Sequence, residues 1–245
     1  KKKKKPLYKI LSSKYRDKVP VYATIWSEDF KNDETLSSRC EEILNQGYGG
    51  IKIYPLQKRT IDQAAICVSK IRQTLGFNIP LMLDLACPND PNVSLKLAPL
   101  VKEFKPYWFE EPVDGEATRA LKEIKNQTGL RIVTGEKQCG INHFIETLAA
   151  DAVDIFNPDI SSVGGIIDMI KIIKLSHKKN VKVSPHCWNS MSIAASAMIH
   201  LCMSFPNTEM AEFFPEYIAY TLKFYNKNFE INKGFVELEN REGLG

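Results

Sequence analysis

Three short apolar runs in this chain stop on a carboxylate at a constant interval. They are Leu81-Met82-Leu83-Asp84, Tyr107-Trp108-Phe109-Glu110-Glu111-Pro112, and Leu130-Arg131-Ile132-Val133-Thr134-Gly135-Glu136, with Asp84, Glu110 and Glu136 spaced 26 residues apart. A run this short, mostly apolar and bounded by turn residues, reads as a buried strand of a parallel sheet. The interval holds one strand, one helix and two short connections. Three neighbouring parallel strands would then present an acid at the same height, at their C-terminal ends. Clustered carboxylate oxygens bind hard divalent cations such as Mg²⁺, so the pattern points to a metal site.

The alternation extends over the whole chain. Further strands are expected at Val19–Trp26, Gly50–Pro55, Val153–Asp159, Val181–His186 and Glu209–Phe214, each β-branched or aromatic in character. Helical patterns lie between them, near Thr35–Gly47, Thr60–Leu75, Ser94–Phe104, Glu116–Gln127, Asn142–Ala150, Ile166–Leu175 and Ser190–Met203. Strands alternating with helices build a parallel sheet with right-handed crossovers. Eight such units in one domain-sized chain favour an α/β fold closed as a (β/α)8-type TIM barrel over an open sheet. Chemistry in such barrels sits at the C-terminal strand ends. Those ends carry Lys52 and Tyr54, Asp84, Glu110 and Glu111, Glu136, Asp159, His186 and Glu212. Unpaired charge is costly in a core, so this repetition argues for one shared mouth.

Composition narrows the class. With 44% hydrophobic and 25% charged residues, the chain reads as an ordinary globular protein. The net charge of +4 owes itself to Lys1–Lys5. That run reads as a solvated terminus, so no nucleic-acid partner is expected. No apolar stretch approaches the roughly 20 residues of a membrane span, and no secretory signal follows the lysines. Six scattered cysteines without a CxxC pair read as reduced thiols of a cytoplasmic protein.

Taken together, LxxD at Asp84, FEEP at Phe109–Pro112, TGE at Glu136, NPD…GG at Asp159–Gly165 and SPH at His186 are specific, although each alone is weak. Over about residues 6–245 the chain resembles the barrel domain of the enolase superfamily, in its mandelate racemase subgroup. The resemblance implies a modified (β/α)7β barrel, with Asp84, Glu110 and Glu136 as Mg²⁺ ligands. It implies that His186 and Asp159 form a His–Asp dyad, in which Asp fixes the tautomer and Nε2 moves a proton. Glu111 is expected to orient a ligand or a lysine. Glu212 matches a position that hydrogen-bonds the developing enolate, as a protonated or shared carboxyl. Many subgroup members carry Lys-x-Lys on the second strand, where this chain has Lys52-Ile53-Tyr54. Lys52 would place an ammonium near the substrate carboxylate. Tyr54 would serve as acid, base or hydrogen-bond donor, with its pKa lowered by Lys⁺ and Mg²⁺. Lys137 is expected to alternate away from the site, and His143, His177 and His200 to sit on or beside helices.

The implied domain order is a basic start and hinge at 1–18, the barrel at 19–214, and a tail at 215–245 returning toward a capping domain. Family members normally carry that N-terminal α+β cap over the mouth; here it is missing from the sequence given. The implied reaction is abstraction of the proton α to the carboxylate of an acid sugar, with β-elimination of water: a dehydratase. A racemase or epimerase using the same chemistry, and a non-catalytic barrel lacking its cap, are the alternatives. The resemblance also implies a homo-oligomer.

Overall fold

Each expected strand forms and takes its place in one closed sheet. In this computed structural model the described residues are 4–26, 32–188, 192–221, 223 and 229–245. The short helix α1 (Leu7–Leu11) precedes β1 (Val19–Thr24), and alternation then runs through α2 (Asp33–Asn45), β2 (Ile51–Ile53), α3 (Ile61–Leu75), β3 (Leu81–Asp84), α4 (Pro91–Val101) and β4 (Trp108–Glu110). It continues with α5 (Thr118–Thr128), β5 (Ile132–Thr134), α6 (Asn142–Ala149), β6 (Ile155–Phe156), α7 (Gly165–Lys178), β7 (Lys182–Val183), α8 (Ser192–Ser204) and β8 (Ala211–Phe213). The tail adds α9 (Pro215–Thr221) and a hairpin, β9 (Phe229–Asn232) and β10 (Phe235–Leu238).

Strands β1 to β7 pair in parallel in sequence order, and β8 pairs in parallel with β1. A parallel bridge from Val183 to Thr208 and a hydrogen bond from Glu209 N to Val183 O (2.8 Å) join β7 to the segment entering β8. The barrel is thereby closed. The hairpin lies outside the parallel ladder: β10 runs antiparallel to the start of β1, pairing Val19 with Val236. There the backbones of Gly49 and Gly234 approach so closely that a Cβ on Gly49 would stand 2.8 Å from the Gly234 Cα.

Helix boundaries follow their caps. Thr60 and Gln63 form a reciprocal capping box at the start of α3. The helix expected from Ser94 begins at Pro91 instead, because Asp90 caps it and proline tolerates the first turn. It ends in the 3₁₀ turn Lys102–Phe104 beyond Pro99, which lacks an amide proton. Of the helix expected from Ser190, Ser190 and Met191 lie outside the described residues, as do Lys1–Lys3 of the basic run.

Side chains alternate across each strand. Outward residues such as Ile51, Ile53, Leu81, Leu83 and Ile132 pack with Cys67, Val68, Ile71 and Leu121 of the surrounding helices. Inward, Tyr22, Met82, Trp108, Val133, Ile155 and Met210 fill the barrel with a separate apolar layer. Two residues further along most of these strands stands a polar side chain: Thr24, Asp84, Glu110, Asn157 and Glu212. All five are buried, so the period-two rhythm sets a polar layer directly above an apolar plug.

Candidate active site and metal centre

The polar layer carries the acids. Asp84 and Glu110 are ladder partners on β3 and β4, but Glu110 pairs with Val133 rather than with Glu136. The equal spacing therefore hides a difference of register. On β5 the inward position is Gly135, at φ 135°, and Glu136 returns to the cluster from the turn beyond it. A Cβ on Gly135 would stand 3.0 Å from the Phe144 ring, so glycine answers both the backbone angle and the space. Carboxylate oxygens of Asp84, Glu110 and Glu136 nonetheless lie within 4.8 Å of one another.

Glu110 is wholly buried. Its Oε1 accepts from Lys52 Nζ (2.5 Å) and Asn157 Nδ2 (3.0 Å), and its Oε2 from Trp108 Nε1 (2.8 Å). Burial pushes its pKa well above the usual carboxylate value despite Lys52. Burial likewise raises Glu136 to about 7, against the opposing influence of His186. Glu136 Oε2 is buried with no hydrogen-bond partner, although His186 Nε2 stands 3.3 Å away in poorer alignment. Three oxygen donors, one of them orphaned, suit a hard divalent cation. Asp84, Glu110, Glu136 and Glu212 also outnumber the one buried ammonium among them, so a cation would offset charge the protein leaves uncompensated.

Lys52 lies beneath the cavity rather than in it. Fully buried, it reaches Glu110 (2.5 Å), Glu212 (2.8 Å) and Asp84 (3.4 Å). Burial opposes its charge, but Glu110 and Glu212 outweigh that and hold its pKa well above the ordinary lysine value. Its partners among the protein groups are the acids, which sets its ammonium beside the triad that was expected to hold the metal. Glu212 accepts from Thr24 Oγ1, from Lys52, and from the Cys187 amide (3.0 Å). Burial works to raise its carboxyl, but Lys52 and His186 hold it below the usual value, so among the protein groups alone it accepts hydrogen bonds.

His186 and Asp159 meet on adjacent strand ends. Nδ1 lies 2.8 Å from Asp159 Oδ2, and Ser161 N (2.7 Å) and Trp188 N (3.4 Å) also donate to the Asp159 carboxylate. A carboxylate only accepts, so Nδ1 carries a proton and Nε2 turns toward Glu136 (3.3 Å) and Glu212 (3.9 Å). Burial opposes the imidazolium, yet Glu212 and Asp159 raise His186 to about 9. A cation at the triad would offset part of that pull.

A cavity of about 480 Å³ opens above these groups, lined by Asp84, Glu136, Asp159 and His186 with Tyr54. Tyr54 packs edge-on against Trp26 (4.5 Å), which meets Trp188 (5.3 Å) in the same way. With the protein groups alone, the Tyr54 pKa lies well above its ordinary value, because burial and Asp84 outweigh the lowering that Lys52 exerts. Lys137 also lines the cavity, contrary to expectation, since past Gly135 the strand alternation no longer applies. Its Nζ bonds Cys87 Sγ (2.9 Å), whose thiol donates to Glu111 Oε2 (2.7 Å). Glu111 in turn accepts from Thr134 Oγ1 (2.8 Å) and Gly135 N (3.0 Å), bracing the turn that delivers Glu136. Sequence reasoning missed Trp26, Trp188, Ser161 and Ser162, which line the cavity from strand-end loops with no motif of their own. Glu209 binds Arg131 (3.0 Å) and Tyr107 at the opposite barrel end, and His143, His177 and His200 lie on α6, α7 and α8.

Fold and site together define a parallel (β/α) barrel with a carboxylate triad beside a His–Asp pair. The chain belongs to the enolase C-terminal domain-like family, which it matches over residues 35–245. A solved enolase from environmental shotgun sequencing of the Sargasso Sea is 44% identical, with a TM-score of 0.95, covering 99% of this chain and 64% of that one. The L-talarate dehydratase of Polaromonas sp. JS666, solved with Mg and L-glucarate, is 26% identical, with a TM-score of 0.88 over 100% of this chain and 65% of that one. The D-gluconate dehydratase of Thermoproteus tenax is 24% identical across 98% of this chain and 50% of its own length. The chain thus spans about half the length of that curated relative. No helix among the described residues is long and apolar enough to cross a membrane.

Proposed function

We propose that this protein is a Mg²⁺-dependent acid-sugar dehydratase. The observation that carries the reading is a carboxylate triad within 4.8 Å, two of whose acids, Asp84 and Glu136, line one cavity with His186, whose Nδ1 is committed to Asp159 while Nε2 faces Glu136. Asp84, Glu110 and Glu136 would hold the cation. When bound, it polarises the substrate carboxylate and stabilises charge developing on its oxygens. His186 Nε2 takes the proton α to that carboxylate, with Asp159 fixing the ring. Tyr54, a phenol held protonated by burial, gives its proton to the β-hydroxyl, which leaves as water as the α,β double bond forms. Lys52 and Glu212 hold the buried charges in register beneath. Names of the relatives, dehydratases of D-gluconate and L-talarate, support the reaction class.

The test is formation of a 2-keto-3-deoxy acid from a panel of aldonic and aldaric acids with Mg²⁺. Exchange of the α-proton with solvent deuterium and no dehydration would turn the reading to an epimerase. Calorimetric Mg²⁺ titration of wild type against Glu136→Ala separates both from a non-catalytic barrel, in which the substitution would leave affinity unchanged.

A further inference from the structure

Among the described lining residues, Lys137 is the cation that the dehydration mechanism does not use. Lys52, by contrast, is wholly engaged by three carboxylates. The Lys137 Nζ has one hydrogen bond among the described residues, to Cys87 Sγ at 2.9 Å. That sulfur is a thiol, for its own proton goes to Glu111 Oε2. Sulfur is a weak acceptor, so an ammonium with three donors is steadied there without being neutralised. Glu111 and Glu136 act on it from beyond ion-pair distance. Among the described residues, the lining that the mechanism leaves over supplies indole rings at Trp26 and Trp188 and hydroxyls at Ser161 and Ser162, which suit a sugar alcohol end as well as a carboxylate. An ammonium distinguishes the two, as a compact point charge on a flexible stem.

We propose that Lys137 makes the cavity selective for acid sugars carrying a carboxylate at both ends, its ammonium taking the carboxylate that the triad does not hold; this rests on the acid-sugar reading above. Cys87 and Glu111 act as positioning residues for it, through the chain Lys137–Cys87–Glu111 that also braces Gly135. The same chain couples the selecting charge to the turn carrying Glu136.

Galactarate and galactonate form a matched pair, differing only in a carboxylate or a hydroxymethyl group at C6. Turnover of each is measured with Mg²⁺ for wild type, Lys137→Gln and Lys137→Arg, together with calorimetric affinity for each acid. Wild type should prefer the diacid, and Lys137→Gln should lower the diacid-to-monoacid ratio of kcat/KM about tenfold to a hundredfold, as expected for loss of a charge partner. The change should fall on KM and on calorimetric affinity, and Lys137→Arg should retain the preference. A ratio that is flat in wild type, or unchanged in Lys137→Gln, overturns the inference. Should wild type turn over neither acid, the calorimetric preference alone decides for or against Lys137, and the dehydratase reading stands or falls separately on the full acid panel.

Discussion

Two side chains of the site, His186 and Lys52, differ in what they reach. His186 touches the cavity and Lys52 does not, so their substitutions should separate. His186→Asn removes Nε2 yet leaves the three carboxylates in place. It should reduce kcat by roughly 10²–10⁴-fold, the usual worth of positioned acid–base catalysis, with Mg²⁺ affinity nearly unchanged by calorimetry. A loss of metal binding of the same size would mean that the imidazole supports the triad rather than the reaction. Lys52→Met removes the buried cation that Asp84, Glu110 and Glu212 share. Stripping one partner from such a cluster costs about 3–5 kcal/mol. Chemical denaturation in chelator should register that loss, and added Mg²⁺ should restore part of it by replacing the missing charge. Equal destabilisation with and without Mg²⁺ would count against a cation at the triad.

Strand alternation aims Asp84 and Glu110 inward, and the turns just beyond those strands hold strained backbone. Ala86, Cys87 and Glu111 adopt positive φ angles of 54°, 58° and 42° immediately beyond Asp84 and Glu110. Left-handed backbone at non-glycine positions clusters where surrounding structure over-determines it. The β5 turn meets the same demand with Gly135. Gly135→Ala must place a Cβ against Phe144 at φ 135°. It should destabilise by about 1–3 kcal/mol and, by displacing Glu136, weaken Mg²⁺ binding at least tenfold. Thermal unfolding and metal titration of the one variant test both effects. Loss of stability with intact affinity would show that Glu136 reaches the metal without this turn.

Across the whole molecule, the chain ends are tied to the barrel. Leu7 N bonds Gly243 O (2.8 Å), and His200 of α8 accepts from Tyr8 N (3.3 Å) and stacks on the Tyr8 ring (5.5 Å). Burial lowers the His200 pKa to about 4. The unfolded chain, with histidine near 6.5, then binds the proton more readily. Full stability is present above about pH 6.5 and is lost as pH falls toward 4, at up to about 1.4 kcal/mol per unit. Wild type should therefore lose up to about 3 kcal/mol more than His200→Asn over that window, read from unfolding free energies at fixed Mg²⁺. Parallel slopes for the two proteins would exclude His200 as the source.

Much of this was legible in one dimension because it is local. Hydrophobic period, turn residues and caps such as Thr60–Gln63 depend on neighbours within a few positions, and they announced the alternating strands and helices. Acids ending apolar runs announced the triad and the His186–Asp159 pair, since burying a charge is too costly to be incidental. Orientation and partnership were not legible. A 26-residue interval could not reveal that Glu136 leaves the strand register, that Lys52 is engaged by Glu110 and Glu212 below the cavity, or that the exposed Lys137 lines the cavity and bonds Cys87. Those outcomes depend on packing between strands, which in the case of Lys52 and Glu212 brings residues more than a hundred positions apart within hydrogen-bonding distance. Ionisation followed the same division: the chain names which groups titrate, but packing decides their direction, burial carrying Tyr54 and Glu136 up while Lys52 and His186 hold Glu212 down.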